Sequence, residues 1–144
     1  MIAVDTNVLL RRLLDDDVAQ AEKARRLFES NESVLITDVV LAETIWTLTG
    51  KRYGAGREEI ATVIVALLEE HNVVFESRQA VWSALNDYLD AVPVRTASGI
   101  RIADLADALV VNKAKITAQH RNEPYHGTYT YDQAAQALDG TKAP

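Results

Sequence analysis

The sequence predicts an α/β fold with a mostly parallel sheet that is covered by helices on both faces. Short apolar segments of strand length alternate along the chain with longer segments whose apolar residues recur at helical spacing. Strands that are separated by helices pair in parallel, and such sheets are covered on both faces. The 144 residues contain no internal repeat and no low-complexity linker, and they suffice to bury a core. We therefore expect a single domain over residues 1–144.

The first half of the chain predicts three short apolar strands separated by helices. Asp17, and then Thr37 or Asp38, precede apolar faces of helical period, which is the position of a capping side chain. Gly54 and Gly56 mark a loop before the next helix. In chain order the expected elements are strand 1–4, helix 9–14, a helix after Asp17, strand 34–36, helix 39–46, helix 57–71 and strand 73–75. The helix after Asp17 is expected to have one apolar face, formed by Ala21, Ala24, Leu27 and Phe28.

The second half of the chain predicts two long helices and one further strand. Ser77 is placed to cap the first of these helices. The side chains expected to face inward from it are Val81, Trp82, Leu85 and Leu89. The expected elements are helix 78–90, an irregular stretch 92–101, helix 104–118, a turn 125–127 and strand 128–130. The tail 138–144 is short and weakly apolar, so the sequence leaves a final strand undecided.

Composition excludes several classes of protein. The chain has no cysteine, which rules out disulfides, thiolate zinc sites and a cysteine nucleophile and indicates a reducing cytosol. Its formal net charge of −6 argues against a protein that coats nucleic acid without sequence preference. The N-terminus reaches Asp5 too soon for a signal peptide, and no apolar run approaches the roughly 20 residues of a membrane span. We expect a cytoplasmic protein with no membrane partner.

Several acidic residues stand beside apolar strand or helix segments. Asp5 follows the first predicted strand, at the end of a parallel strand where α/β folds bind ligands. Glu43 lies inside an apolar helical stretch, and Asp132 follows the strand 128–130. Asp104 and Asp107 are three residues apart, so they project from one side of a helix. Acids beside apolar surface are costly unless they are paired or bound to metal.

Four of these five acids also have a structural alternative that needs no ligand. These alternatives are an N-cap role for Asp104, a favourable helix-dipole position for Asp107, a salt bridge of Glu43 with Lys51 or Arg52, and a cap by Asp132 on a short helix over 133–138. If the acids converge instead, a divalent cation is the simplest neutraliser of their charge. Oxygen ligands suit Mg²⁺ or Mn²⁺, which activate water for displacement at phosphorus in nucleases and some phosphatases.

Four segments together resemble the acidic motifs of the PIN-domain family. They are Met1–Leu9 around Asp5, Val40–Glu43, Ala103–Val111 with its two acids, and Thr130–Asp132. The similarity covers nearly the whole chain in order and spacing, although each motif alone is weak. It implies a three-layer α/β/α sandwich with a mostly parallel central sheet of four or five strands.

The resemblance also implies an activity and partners. Small stand-alone bacterial PIN proteins of this kind are VapC-type ribonuclease toxins of toxin–antitoxin pairs. A similar role here implies a Mg²⁺- or Mn²⁺-dependent endoribonuclease that cleaves structured RNA such as tRNA or rRNA and is inhibited by a VapB-type antitoxin. It also implies homodimers. Independently, helices 57–71 and 78–90 carry more apolar residues than a small monomer hides, including Trp82 and Tyr88, which predicts a helical dimer surface.

Carried over residue by residue, the resemblance assigns roles in a metal site. The acids that match the metal-site positions are Asp5, Glu43, Asp107 and Asp132, with Asp104 as a frequent extra acid and with Asn7 and Thr130 as supporting side chains. Separately, Arg11 and Arg12 follow the Asp5 strand within two helical turns and are the first candidates for RNA phosphate contacts. Trp46 and Tyr53 are candidates for stacking on a base, although packing in the core or at an interface explains them better.

Three other functions compete with this interpretation. Phosphatases with an aspartyl nucleophile commonly have a second Asp two residues after the first, where this chain has Asn7. A non-catalytic PIN-like interaction module would lack at least one acid, and this chain has them all. A receiver-like signalling domain would place its phosphorylated Asp on a strand in the middle of the sheet, not on the first strand.

Overall fold

The computed structural model describes residues 1–144, which form two compact units, Met1–Arg78 and Gln79–Pro144. The single domain expected from the sequence stays a prediction. None of the helices combines the length and the apolar composition that a membrane crossing requires.

A three-stranded parallel sheet of order β1-β2-β3 lies in the first unit. The strands are β1 (Ile2–Ala3), β2 (Val34–Ile36) and β3 (Val73–Phe75). Val34 of the middle strand pairs with Ile2 on one side and Val73 on the other, and it is fully buried. The predicted parallel sheet is therefore confirmed, whereas four or five strands in it are not.

Four helices accompany this sheet, and each starts where the sequence offers a cap. They are α1 (Thr6–Leu13), α2 (Val18–Phe28), α3 (Asp38–Thr49) and α4 (Arg57–Glu69). Asp17 caps α2 and Thr37 caps α3, as predicted. The first helix starts at Thr6, three residues before the predicted start, because Asp5 accepts a hydrogen bond from the backbone of Val8.

Two side chains tie the end of α2 to its surroundings. The buried amide of Asn72 donates to the carbonyl oxygens of Phe28 at 2.8 Å and Glu32 at 3.2 Å, which fixes the turn that leads into β2. The guanidinium of Arg12 lies 5.6 Å from the centre of the Phe28 ring and 3.0 Å from Glu70. These contacts hold the end of α2 against α1 and against the residues that lead into β3.

In the second unit, a helix and a hairpin precede the last long helix. The elements that follow β3 are α5 (Arg78–Asp90), β4 (Val94–Thr96), β5 (Gly99–Arg101), α6 (Leu105–His120), β6 (Thr128–Tyr129), a 3₁₀-helix (Ala135–Ala137) and β7 (Thr141–Lys142). β6 and β7 pair in parallel, so the C-terminal tail does form a short strand.

The predicted inward face of α5 is half wrong. Val81 and Leu85 are buried, but Trp82 is 53% exposed and Leu89 is 43% exposed. The buried stripe continues through alanines and Tyr88, which is 6% exposed, at spacings of three and four residues. Tyr88 therefore belongs to the buried side of the helix and is wrongly assigned to a dimer surface, while Trp82 remains available to one.

The stretch predicted to be irregular contains an antiparallel hairpin instead. Val94 pairs with Arg101, and Thr96 pairs with Gly99, whose φ of +115° suits the turn. The Thr96 hydroxyl donates to the Gly99 carbonyl at 2.7 Å. Most side chains of the hairpin are exposed and each of its strands has only three residues, so the sequence gives little of the burial pattern that normally reveals a strand.

Candidate active site

The first group of predicted acids joins the start of α1 to the middle of α3. The Thr6 hydroxyl donates to Glu43 Oε2 at 2.5 Å, and Asp5 Oδ1 accepts from the Val8 backbone at 2.9 Å. Asp5 and Glu43 are exposed, so the expectation that they are buried acids in need of compensation is wrong. The buried side of α3 is taken by Leu41, Thr44, Ile45 and Leu48.

Thr6 belongs to this group, although the sequence patterns do not identify it as a site residue. It is the first residue of α1, directly after the capping Asp5, and its hydroxyl orients the Glu43 carboxylate. In the sequence, the feature that indicates Thr6 is its hydroxyl directly after Asp5, the acid at the end of the first strand. The alternative salt bridge of Glu43 is not formed by Arg52, whose guanidinium lies 3.8 Å from Asp16. Asn7 is exposed beside Thr6.

The second group of acids lies at the start of α6. Asp104 Oδ1 accepts from the backbone of Asp107 at 2.8 Å, and Asp107 Oδ2 accepts from the backbone of Asp104 at 3.0 Å. This reciprocal capping box confirms the structural role expected of Asp104 and places Asp107 in the first turn of the helix. Each carboxylate is thereby held in a defined orientation.

Asp132 is fixed by the turn that follows β6. Its Oδ1 accepts from the backbones of Ala134 at 2.8 Å and Ala135 at 3.1 Å, which fixes the turn before the 3₁₀-helix. That helix spans only Ala135–Ala137 and its cap residue is Ala134, so the predicted helix over 133–138 capped by Asp132 is not formed as expected. Thr130 Oγ1 accepts from the Asp132 backbone at 3.0 Å, so this hydroxyl positions the main chain at the acid. Arg101 Nη2 lies 3.6 Å from Asp132 Oδ2.

The electrostatics of the second group are unfavourable for a charged Asp107. Burial, followed by the nearby negative charges of Asp104 and Asp132, raises the pKa of the Asp107 carboxyl to about 6, against a backbone hydrogen bond that lowers it. A carboxyl that resists ionisation among other carboxyls is a place where a cation would be stabilised. The donors are all oxygens, which fits Mg²⁺ or Mn²⁺.

The structure places the predicted acids in two groups. Asp5 and Glu43 lie in the first unit, and Asp104, Asp107 and Asp132 lie in the second. Within neither unit do three His, Asp or Glu side chains form a group that could hold a metal ion. The convergence of all the acids on one ion therefore stays a prediction.

The two candidate phosphate-binding arginines are engaged with other side chains of the first unit. Arg11 donates from Nε to Gln20 at 2.7 Å and from Nη1 to Asp16 at 2.7 Å. Arg12 donates to Glu70 at 3.0 Å, so its guanidinium has a structural partner. Trp46, a candidate for stacking on a base, is 54% exposed on α3. The phosphate contacts stay a prediction, and Arg11 is the better placed of the two because it lines a cavity beside Thr6.

Comparison with known families gives one match. The family model of the PIN domain matches residues 2–120, which is most of the chain and includes Asp5, Glu43, Asp104 and Asp107. Asp132 and Thr130 lie beyond the matched residues. No curated protein matches the chain.

Proposed function

The chain belongs to the PIN-domain family, and we propose that it is a metal-dependent endoribonuclease, the toxin of a VapBC-type toxin–antitoxin pair. PIN domains are generally metal-dependent nucleases, so membership supports a nuclease-type hydrolase activity. The observation that carries the finer proposal is the set of acids in the family's motif order, each held by a defined hydrogen bond. Structured RNA such as tRNA or rRNA is the proposed substrate.

The proposed metal ligands are the carboxylates of both acidic groups. Asp5, Glu43, Asp107 and Asp132 would hold Mg²⁺ or Mn²⁺, with Asp104 as an additional acid. When bound, the ion supplies an activated water and stabilises negative charge at phosphorus. The support for one joint site is the family match and the order of the motifs. Within the second group, burial first and then the charges of Asp104 and Asp132 raise the pKa of Asp107.

The chain's own hydrogen bonds would orient these carboxylates. Thr6 directs one oxygen of Glu43, the Asp104 backbone directs one oxygen of Asp107, and Thr130 holds the main chain at Asp132. Such supporting contacts fix a ligand before the metal binds, which reduces the reorganisation that binding requires. Thr6 is therefore a positioning residue in the proposal.

The proposed partners follow from the same family relationship. A VapB-type antitoxin would inhibit the enzyme in the cytoplasm, and a small reading frame for a DNA-binding protein directly upstream of the gene would support this. A homodimer is also proposed, with the exposed Trp82 and Leu89 of α5 as candidates for its surface. Sedimentation of a monomer at micromolar concentration would contradict the dimer.

Removal of metal tests the enzymatic proposal. We expect purified protein to cleave total tRNA in Mg²⁺ or Mn²⁺ and to lose that activity in excess chelator, with recovery when the ion is restored. Gel analysis of end-labelled tRNA measures internal cleavage. Hydrolysis of p-nitrophenyl phosphate without RNA cleavage would favour the metal-dependent phosphatase alternative. Absence of both activities in every metal would favour a non-catalytic interaction module.

A further inference from the structure

A polar cavity of about 290 Å³ lies in the first unit beside the first acidic group. Thr6 and Arg11 of α1 line it, together with Thr47 of α3 and with Arg52 and Tyr53 from the segment after α3. Thr6 also donates to Glu43, so the cavity adjoins one of the proposed metal ligands. Two arginines at one cavity are notable in a chain whose formal net charge is −6.

Three donors at this cavity converge on a single carboxylate, that of Asp16. Arg11 Nη1 lies 2.7 Å from Asp16 Oδ1, the Tyr53 hydroxyl lies 3.3 Å from Oδ2, and Arg52 Nη2 lies 3.8 Å from Oδ2. The Arg11 hydrogen bond lowers the pKa of the Asp16 carboxyl, which is therefore an anion in neutral solution. Carboxylate and phosphate oxygens are recognised by the same planar guanidinium donors.

The basic side chains are oriented by contacts other than Asp16. Gln20 accepts from Arg11 Nε at 2.7 Å, which leaves the Nη1 end of the guanidinium directed at Asp16. The Arg52 guanidinium lies 5.2 Å from the centre of the Tyr53 ring, and its side chain is 76% exposed. The donors are thus held in place at the position that the Asp16 carboxylate occupies, and they are reachable from solvent.

We propose that Arg11, Arg52 and Tyr53 form a seat for a phosphodiester of the RNA substrate, and that Asp16 occupies this seat in the RNA-free protein. The proposal rests on the proposed ribonuclease function. Binding exchanges one anion for another: the RNA phosphate takes the arginine donors, and the Asp16 carboxylate returns to water. RNA is favoured over an acidic protein segment because single-stranded nucleic acid combines phosphate contacts with stacking on Tyr and Arg, and both residue types line this cavity.

Equilibrium binding of RNA in chelator tests this seat without cleavage. The probe is a fluorescein-labelled decauridylate, measured by anisotropy. Asp16→Asn should bind the probe up to about fivefold more tightly, since it removes an exposed competing ion pair. Arg52→Ala should bind it about three- to tenfold more weakly, and the slope of log K against log salt should fall by about 0.7, because one phosphate contact is lost.

The first unit offers matched control variants. Glu22→Gln removes a carboxylate that is ion-paired with Arg25 at 2.7 Å and Arg26 at 3.0 Å, away from the cavity. Arg26→Ala removes an arginine whose side chain is 73% exposed. They change the net charge by the same amounts as the test variants, so we expect RNA affinities within about twofold of wild type. Melting temperatures of all four variants verify that each is folded.

The outcomes separate this proposal from the proposed function. If the wild type cleaves RNA but Asp16→Asn and Arg52→Ala bind it as the controls do, the seat is wrong and the ribonuclease stands. If neither the wild type nor Asp16→Asn binds or cleaves RNA, both are wrong. Two further probes complete the test. If Asp16→Asn binds deca-aspartate more tightly but not RNA, the cavity is a site for an acidic protein segment. If inorganic phosphate binds as tightly as the RNA does, the cavity is not specific for an RNA backbone.

Discussion

Asp5→Asn is expected to reduce RNA cleavage by about a hundredfold or more, because even the indirect supports of a metal ligand contribute about ten- to a hundredfold. The same change should leave the melting temperature in chelator unchanged or slightly raised. Asn caps a helix as well as Asp does, so the hydrogen bond to Val8 is preserved, and one acid of the proposed metal site loses its charge. Cleavage of total tRNA and thermal melting measure the two effects.

Asp17→Asn is the matched control for this variant. Asp17 caps α2 through the backbone of Gln20 at 3.0 Å, as Asp5 caps α1 through the backbone of Val8 at 2.9 Å. The control should keep both stability and cleavage. If Asp5→Asn melts lower than wild type in chelator and still cuts RNA, Asp5 is a structural cap only, and its assignment to the metal site is overturned.

Asp107→Asn is expected to stabilise the protein at neutral pH when metal is absent. The folded-state pKa of Asp107 is about 6, above the ordinary value of 3.8, so the folded protein holds this proton more tightly than the unfolded chain does. Protonation therefore stabilises the fold at low pH, and this contribution is lost as the pH rises from about 4 to about 6. Above that range the charged carboxylate destabilises the fold, and the neutral amide should not.

Melting in chelator between pH 3.5 and 8 measures this difference. The variant should exceed the wild type above pH 6, and the gap should close towards pH 4. Mn²⁺ at pH 7.5 should raise the melting temperature of the wild type but not of Asp107→Asn. Asp139→Asn, whose side chain is 98% exposed, is the control and should follow the wild type. If Asp107→Asn is less stable than the wild type at pH 7.5 in chelator, the expectation is wrong. The favourable interaction of the Asp107 charge with the helix dipole then outweighs its repulsion by the neighbouring carboxylates.

The parts of the fold that the sequence predicts well are those with strong local signals. The strands at Val34–Ile36 and Val73–Phe75 were expected at those bounds, because each is a short, wholly apolar run between polar segments. The helix after Asp17 was also expected, since a capping side chain precedes an apolar face of helical period. Capping of α6 by Asp104 follows from the same local chemistry.

The errors arise where burial depends on tertiary context. Trp82 and Leu89 are as apolar as their buried neighbours, and the sequence alone does not tell which stripe of α5 is covered. The hairpin around Gly99 is mostly exposed, and its three-residue strands are too short to give a clear strand pattern. The exposure of Asp5 has the same origin: its place after an apolar strand is evident from the sequence, but the direction of its side chain is set by the cap of α1.

The candidate site is predicted only as a set of residue types. The sequence identifies the acids by their motifs, and the family match covers all of them except Asp132. The sequence does not reveal that Thr6 would hold Glu43, or that Arg52 and Tyr53 would approach Asp16, because these contacts join segments that are distant along the chain. Such pairings depend on how the helices pack, which local patterns do not determine.

The proposed ribonuclease activity depends on one divalent ion that the acids of both groups hold together. Binding of Mn²⁺, followed by electron paramagnetic resonance, tests it most directly in the wild type, Asp5→Asn and Asp107→Asn. We expect each variant alone to weaken Mn²⁺ binding by about tenfold or more, since each removes a ligand of one shared site. Wild-type affinity in either variant would contradict it, because that carboxylate would then contribute nothing to the ion that the other one binds.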